Sequence, residues 1–120
     1  MLLAGGIGIT PFRAMISQSL YDKNYINGTL LYQNKDQEFV FRKELEHYAG
    51  TNPNFQINFL TEELTAELIL EQIPIGKVPQ FYISGPEPMV EHYSNVLLNL
   101  GFSDTQIKRD EFPGYDWPLK

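Results

Sequence analysis

The stretch Ala4-Gly5-Gly6-Ile7-Gly8-Ile9-Thr10-Pro11-Phe12 decides how this chain is read. An apolar run, Met1 to Ala4, stops at three glycines, and Thr-Pro then opens an amphipathic segment. That is a strand, a tight turn and a helix start within a dozen residues. Glycine has no Cβ, so the turn can bring its backbone close to a ligand. Thr10 is expected as the helix N-cap and Pro11 at the first helical position, where a missing N–H costs nothing. The free amides and positive dipole end of such a helix suit a phosphate or pyrophosphate. The plain alternative is a Gly-rich turn with no ligand. The run is not G-x-G-x-x-G, because Pro11 holds the third glycine position, and no Gly-Lys-Ser/Thr follows to make a P-loop. The remainder of the chain has to decide between these readings.

Outward from the turn, strands and helices alternate. Phe12, Met15, Ile16 and Leu20 have the spacing of one helical face. Asn27-Gly28 breaks the chain, and Thr29–Gln33 reads as a buried strand. Phe41, Leu45, Tyr48 and Ala49 predict a second helix ending at Gly50. Phe55–Leu60 alternates as a strand, Thr65–Gln72 is a short helix stopped by Pro74, and Phe81–Ser84 is a fourth strand. Met89, Val90, Tyr93, Val96, Leu97 and Leu100 form the clearest amphipathic helix, closed by Gly101, before a last strand near Gln106 to Asp110. Five strands joined by helical crossovers imply an α/β fold, a doubly wound parallel sheet with helices on both faces; the strand order expected for it is 3-2-1-4-5. Ligands on such sheets bind at the carboxyl ends of the strands, at the switch point. Those ends carry Gly5 to Thr10, Asn34-Lys35, Thr61-Glu62, Ser84 to Met89 and Glu111 to Tyr115, where most of the unusual local chemistry lies.

Bulk composition narrows the class. The 120 residues, 42% of them hydrophobic, make one domain, residues 1–120, with a real core. No apolar run approaches the roughly 20 residues of a membrane span, and the N-terminus lacks the basic region of a signal peptide. The net charge of −6, with no Lys/Arg cluster beyond Arg42-Lys43 and Lys108-Arg109, argues against a nucleic-acid surface. The absence of cysteine excludes disulfides and thiolate chemistry and fits a reducing compartment, so a cytoplasmic location is expected.

Two distant segments converge on one family. Gly5 to Phe12 resembles the first motif of the nicotinamide-nucleotide domain in ferredoxin–NADP reductase-like flavoenzymes. Ser84-Gly85-Pro86-Glu87-Pro88-Met89 resembles that family's C-G-P-x-x-M motif, with Ser for Cys. Asp110-Glu111-Phe112-Pro113-Gly114-Tyr115 is similar to its closing tail, and Leu30 to Lys35 with Phe41 to Leu45 to its second strand and helix. The matches keep their order across nearly the whole chain, which makes them more specific than any one alone.

The resemblance implies a division of labour. Gly5, Gly6 and Gly8, with Thr10 and Pro11, would hold the pyrophosphate, Thr10 lying toward the nicotinamide. Ser84, Gly85 and Pro86, followed by Met89, would sit beside the nicotinamide, with Ser84 positioning the ring for hydride transfer. Asn34 and Lys35 would face the adenosine ribose. Lys35 is suited to a 2′-phosphate, whereas Asp36 and Glu38 would repel one; the balance leans slightly to NADP over NAD. Glu111, Phe112 and Tyr115 would lie near a flavin. The family carries a flavin-binding barrel with an Arg-x-Tyr-Ser/Thr motif, and nothing here resembles it. The chain is therefore expected to be the nucleotide half of a larger reductase. Upstream residues would complete the short first strand, and FAD would come from a domain in cis or in trans. Alone, it is expected to bind nucleotide without catalysing, and its electron acceptor is unspecified.

Two other classes are weighed beside this one. A stand-alone nucleotide-sensing or interaction module would keep the fold without redox activity. A hydrolase built on Ser84, His47 and Asp110 is disfavoured, since no G-x-S-x-G elbow surrounds Ser84. Glu87 and His92 lack zinc-ligand spacing, so no metal site is expected.

Overall fold

The structure is a computed structural model that describes residues 1–35, 38–74 and 76–113. Gly114, Tyr115, Asp116 and Trp117 of the aromatic tail, and Asp36 of the loop after the second strand, lie outside the described residues. Five parallel strands, β1 (Leu2–Gly5), β2 (Gly28–Gln33), β3 (Phe55–Leu60), β4 (Phe81–Pro86) and β5 (Ile107–Phe112), form one sheet in the order β3-β2-β1-β4-β5. This is the order expected from the alternating pattern. The reversal falls between β1 and β4, where Ala4 pairs with Ser84. Among the described residues no helix is long and apolar enough to cross a membrane.

Strand alternation divides the core into two layers. Leu2, Ala4, Leu30 and Tyr32 face α1 (Ile9–Asp22) and α2 (Arg42–Thr51), where Phe12, Ile16, Leu45 and Tyr48 meet them. Leu3, Leu31 and Ile83 face α3 (Ala66–Glu71) and α4 (Glu87–Asn99), against Ile69, Met89, Val90, Tyr93 and Leu97. Each central strand is thus covered on both sides, which is why β1 and the inner part of β2 read as continuous apolar runs.

Several details differ from the sequence expectation. A 3-10 turn, Gly6–Gly8, leads directly into α1, so Gly8 is the N-cap; Thr10 and Pro11 lie inside the first turn, and no side chain caps the helix. The buried stripe of α1 is Ile9, Phe12, Ile16 and Ser19, while Met15 and Leu20 are exposed. Ser19 displaces Leu20 from the interface because its hydroxyl bonds the Ile16 carbonyl at 2.8 Å and the Tyr48 hydroxyl at 2.9 Å. Helix α2 continues through Gly50 to Thr51 before Asn52 ends it. Thr65 does cap α3, accepting from the Leu68 N–H at 3.1 Å.

The glycines at the reversal are required for packing within the protein. A Cβ on Gly8 would overlap the backbone carbonyl of Ser84. One on Gly5 would overlap the Met89 sulfur, and one on Gly85 would lie 2.6 Å from the same atom. Gly8 is therefore unsuited to a test of ligand binding alone, because Gly8→Val would disturb the fold. We expect Gly8→Ala to lose about 2–3 kcal/mol and Gly5→Ala about 1 kcal/mol, since a thioether can move and a strand carbonyl cannot. Urea unfolding of both variants checks this, and equal losses would contradict it.

Candidate functional site

The crevice at the carboxyl ends of β1 and β4 is built from two chain reversals. On one side β1 ends at Gly5, and Gly6 turns the chain with φ +54°, in the left-handed region. No atom lies within 4 Å of where a Gly6 Cβ would stand, so this part of the turn is open. Beyond it, Thr10 is exposed in the first turn of α1. On the other side β4 ends at Gly85-Pro86, and Glu87 and Pro88 open α4. Met89, 1% exposed, lies beneath Gly5 and Gly85 and ties the two reversals together. Ser84 is fully buried, and its Oγ has no hydrogen-bond partner among the described residues. A buried hydroxyl without a partner is costly.

The structure brings Gly5, Gly6, Gly8, Thr10, Pro11, Ser84, Gly85, Pro86 and Met89 to this one crevice. Glu111 and Phe112 end the neighbouring β5, with Gly85 paired to Glu111 and Pro86 to Phe112; Glu111 is exposed and Phe112 half-buried. Asn34 and Lys35 stand apart, at the end of β2 on the far side of β1. The Asn34 side chain accepts from the Lys35 N–H at 3.0 Å and donates to the Glu38 carbonyl at 3.0 Å, so it shapes the loop. Lys35 is exposed, and among the described residues no carboxylate is within ion-pair distance of its ammonium.

The arginines at this end of the molecule are engaged. Arg13 pairs with Glu44 at 3.1 Å and lies over the Phe41 ring, and Arg42 pairs with Glu46 at 3.2 Å and lies over Phe59, 4.4 Å from its centroid. Such exposed pairs contribute little stability; the Arg42 guanidinium lies against the aromatic cluster of Tyr32, Phe39 and Phe59.

One part of the site was not foreseen from the sequence. Gln33, the last residue of β2, is 1% exposed. Its Nε2 donates to the Glu62 carbonyl at 2.8 Å, and its Oε1 accepts from the Tyr93 hydroxyl at 2.9 Å. The Tyr93 oxygen accepts from the Leu64 N–H at 3.0 Å. A glutamine closing an apolar strand was the available signal, but its partner lies 60 residues away. The hydrolase reading finds no support in the geometry, because Ser84 Oγ receives no base and His47 is exposed on α2.

Burial pushes the Tyr93 phenol up from its ordinary value of 10.0 to about 12; the Leu64 and Gln33 hydrogen bonds oppose this, and the charge of Glu63 adds to it. Below pH 10 the folded and unfolded states both keep the proton, and the full stability is present. Above it the unfolded state ionises first, so this contribution is lost as pH rises through about 12. We expect the urea midpoint to fall over that window, and to fall less steeply in Tyr93→Phe.

Comparison with known proteins agrees with this geometry. The family model described as "Oxidoreductase NAD-binding domain" matches residues 2–95. NADH-cytochrome b5 reductase 2 of Rattus norvegicus is 30% identical over 124 residues, covering 88% of this chain and 44% of the relative. Tetrachlorobenzoquinone reductase of Sphingobium chlorophenolicum is 34% identical over 105 residues, covering 83% of this chain and 32% of the relative. The chain thus spans less than half the length of these curated relatives. Among solved structures, the CS-b5R domains of human Ncb5or in an NAD+ form superpose with a TM-score of 0.75 at 25% identity, covering 90% of this chain and 35% of that one. With the motifs, the strand order and the matched residues in agreement, the chain belongs to the oxidoreductase NAD-binding domain family, the nicotinamide-nucleotide half of ferredoxin–NADP reductase-like flavoenzymes.

Proposed function

We propose that this domain holds NAD(P)H so that its nicotinamide faces a flavin carried by another domain, in cis or in trans. The observation that carries the reading is the pair of reversals at the switch point, one with an open positive-φ turn and the other with a buried hydroxyl that has no partner among the described residues. Both features suit a nicotinamide nucleotide. The amides of the Gly6–Gly8 turn and of the first turn of α1 offer donors, and a positive dipole end, to the pyrophosphate. The Thr10 hydroxyl adds a donor on that side, and Pro11 contributes shape, having no N–H to offer. Ser84 Oγ supplies a donor and an acceptor to the nicotinamide side, and Gly85 and Pro86 set the backbone that carries it. When bound, the reduced nicotinamide supplies a hydride, and this chain's part is to orient the ring and exclude water.

Lys35 faces the adenosine end in this reading, and its exposed ammonium, with no carboxylate at ion-pair distance among the described residues, supports NADP. Relatives named for NADH support the other nucleotide. Glu111 and Phe112 would border the flavin, which puts the reductase activity in the assembled enzyme rather than in this domain alone. The acceptor of its electrons follows from that assembly. The cysteine-free composition supports a cytoplasmic setting.

Calorimetric titration with NAD+, NADP+ and 2′-phospho-AMP tests the proposal. We expect Gly6→Val to abolish binding while the domain stays folded, at a cost of roughly 1–2 kcal/mol for a side chain in the left-handed region. A folded Gly6→Val protein that binds as tightly as the wild type would refute the site. We expect Lys35→Ala to lower NADP+ affinity roughly fivefold and leave NAD+ unchanged. Equal loss for both nucleotides would remove Lys35 from the 2′-phosphate.

A further inference from the structure

We propose that Tyr93 is a positioning residue: through Gln33 and the backbone of Glu62 and Leu64 it holds the loop after β3 against the exit of β2, and so sets the adenosine end of the site. The inference rests on the nucleotide reading above and names a residue that reading does not use.

The argument starts from topology. Of the chain segments that leave the sheet at this end, three meet in this network: β2 at Gln33, β3 at Leu60, and β4 into α4, which carries Tyr93. Gln33 pairs with Leu60 in register, and the Asn34 N–H donates to the Leu60 carbonyl at 2.9 Å, so the first two exits run side by side. The ladder ends there. Beyond Leu60 the chain turns through Thr61, Glu62 and Glu63, all exposed. It is then caught at two backbone points, the Glu62 carbonyl by Gln33 Nε2 and the Leu64 N–H by the Tyr93 oxygen. The Tyr93–Gln33 bond at 2.9 Å closes the chain of contacts. Leu64, 4% exposed, is drawn into the core of the α4 face, leaving the Glu62 and Glu63 carboxylates outside.

This arrangement differs from ordinary core packing. The Tyr93 ring is buried in the α4 layer and would pack equally well as phenylalanine. What the hydroxyl adds is a link between α4, which starts at the Ser84-Gly85-Pro86 reversal, and the residue that precedes Asn34 and Lys35. Asn34 in turn fixes the Lys35 backbone and the Glu38 carbonyl. One buried oxygen therefore bears on both Lys35 and the loop that carries Glu62 and Glu63. A buried network of this kind is rigid while each member is satisfied and opens when one is removed.

Titration of the intact chain with AMP, a probe with no nicotinamide, tests the role. We expect Tyr93→Phe to weaken AMP binding roughly five- to tenfold, the range that one hydrogen bond spans, and to speed amide exchange at Leu64. A purely structural hydroxyl would also lower stability, so Leu97→Val, which thins the same α4 layer without touching the hydrogen-bonded link, serves as the control. At comparable loss of stability, AMP affinity lowered in Tyr93→Phe and kept in Leu97→Val supports positioning. Equal loss of affinity in both overturns it, as does a Tyr93→Phe protein that binds AMP like the wild type. Wild-type protein that binds neither AMP nor NAD(P) overturns the nucleotide reading itself, and this inference with it.

Discussion

The contact between the glycine turn and the end of β4 is the constraint on which the rest of the structure depends. Backbone meets backbone where Gly8 lies against the Ser84 carbonyl, a distance that leaves no room for even one methyl group. On the opposite face of the sheet, Met89 fills the space that the missing side chains of Gly5 and Gly85 leave. Because both reversals are seated on these contacts, α1 and α4 start beside each other at the point where strand order changes direction. A crevice with two helix starts at its rim follows from that packing. The glycines act by allowing protein to approach protein, and only Gly6, with its positive φ and open surroundings, presents backbone to the outside.

The two faces of the sheet contribute different chemistry because side chains alternate along every strand. On the α1 and α2 face, Ala4 keeps the surroundings of Ser84 small and apolar, and arginines cover the aromatic cluster farther along. On the α3 and α4 face, Gln33 and Tyr93 place polar atoms in a layer that is otherwise hydrocarbon. Ser84 and Gln33 thus form a contrast. Gln33 is buried with its amide engaged by protein at both ends, whereas the Ser84 hydroxyl is buried and, among the described residues, engaged by none.

Local patterns made the fold legible. Each strand was a short apolar or alternating run bounded by Gly, Pro or Asn, and each helix a 3.6-residue stripe, so element type and order could be read from residues close together in the chain. The observed order 3-2-1-4-5 is the one expected. The two motif segments at the strand ends were legible for the same reason, since Gly5 to Thr10 and Ser84 to Met89 are contiguous. Helix faces were less so. Leu20 looked like part of the α1 interface, yet Ser19 occupies it, because the hydroxyl of Tyr48 on another helix offers a partner that hydropathy does not register.

The sequence by itself determined the α/β class and the two motifs, which are set by patterns within a few turns of the chain, and it pointed to the strand order and the family. Only the tertiary structure decided that Gly5, Gly8 and Gly85 serve packing, that the Ser84 hydroxyl lacks a partner, and that Gln33 and Tyr93 join across the core. These facts concern distances between residues tens of positions apart. Such distances come into being only when the sheet is assembled and its two helical layers close over it, so no window along the chain can contain them.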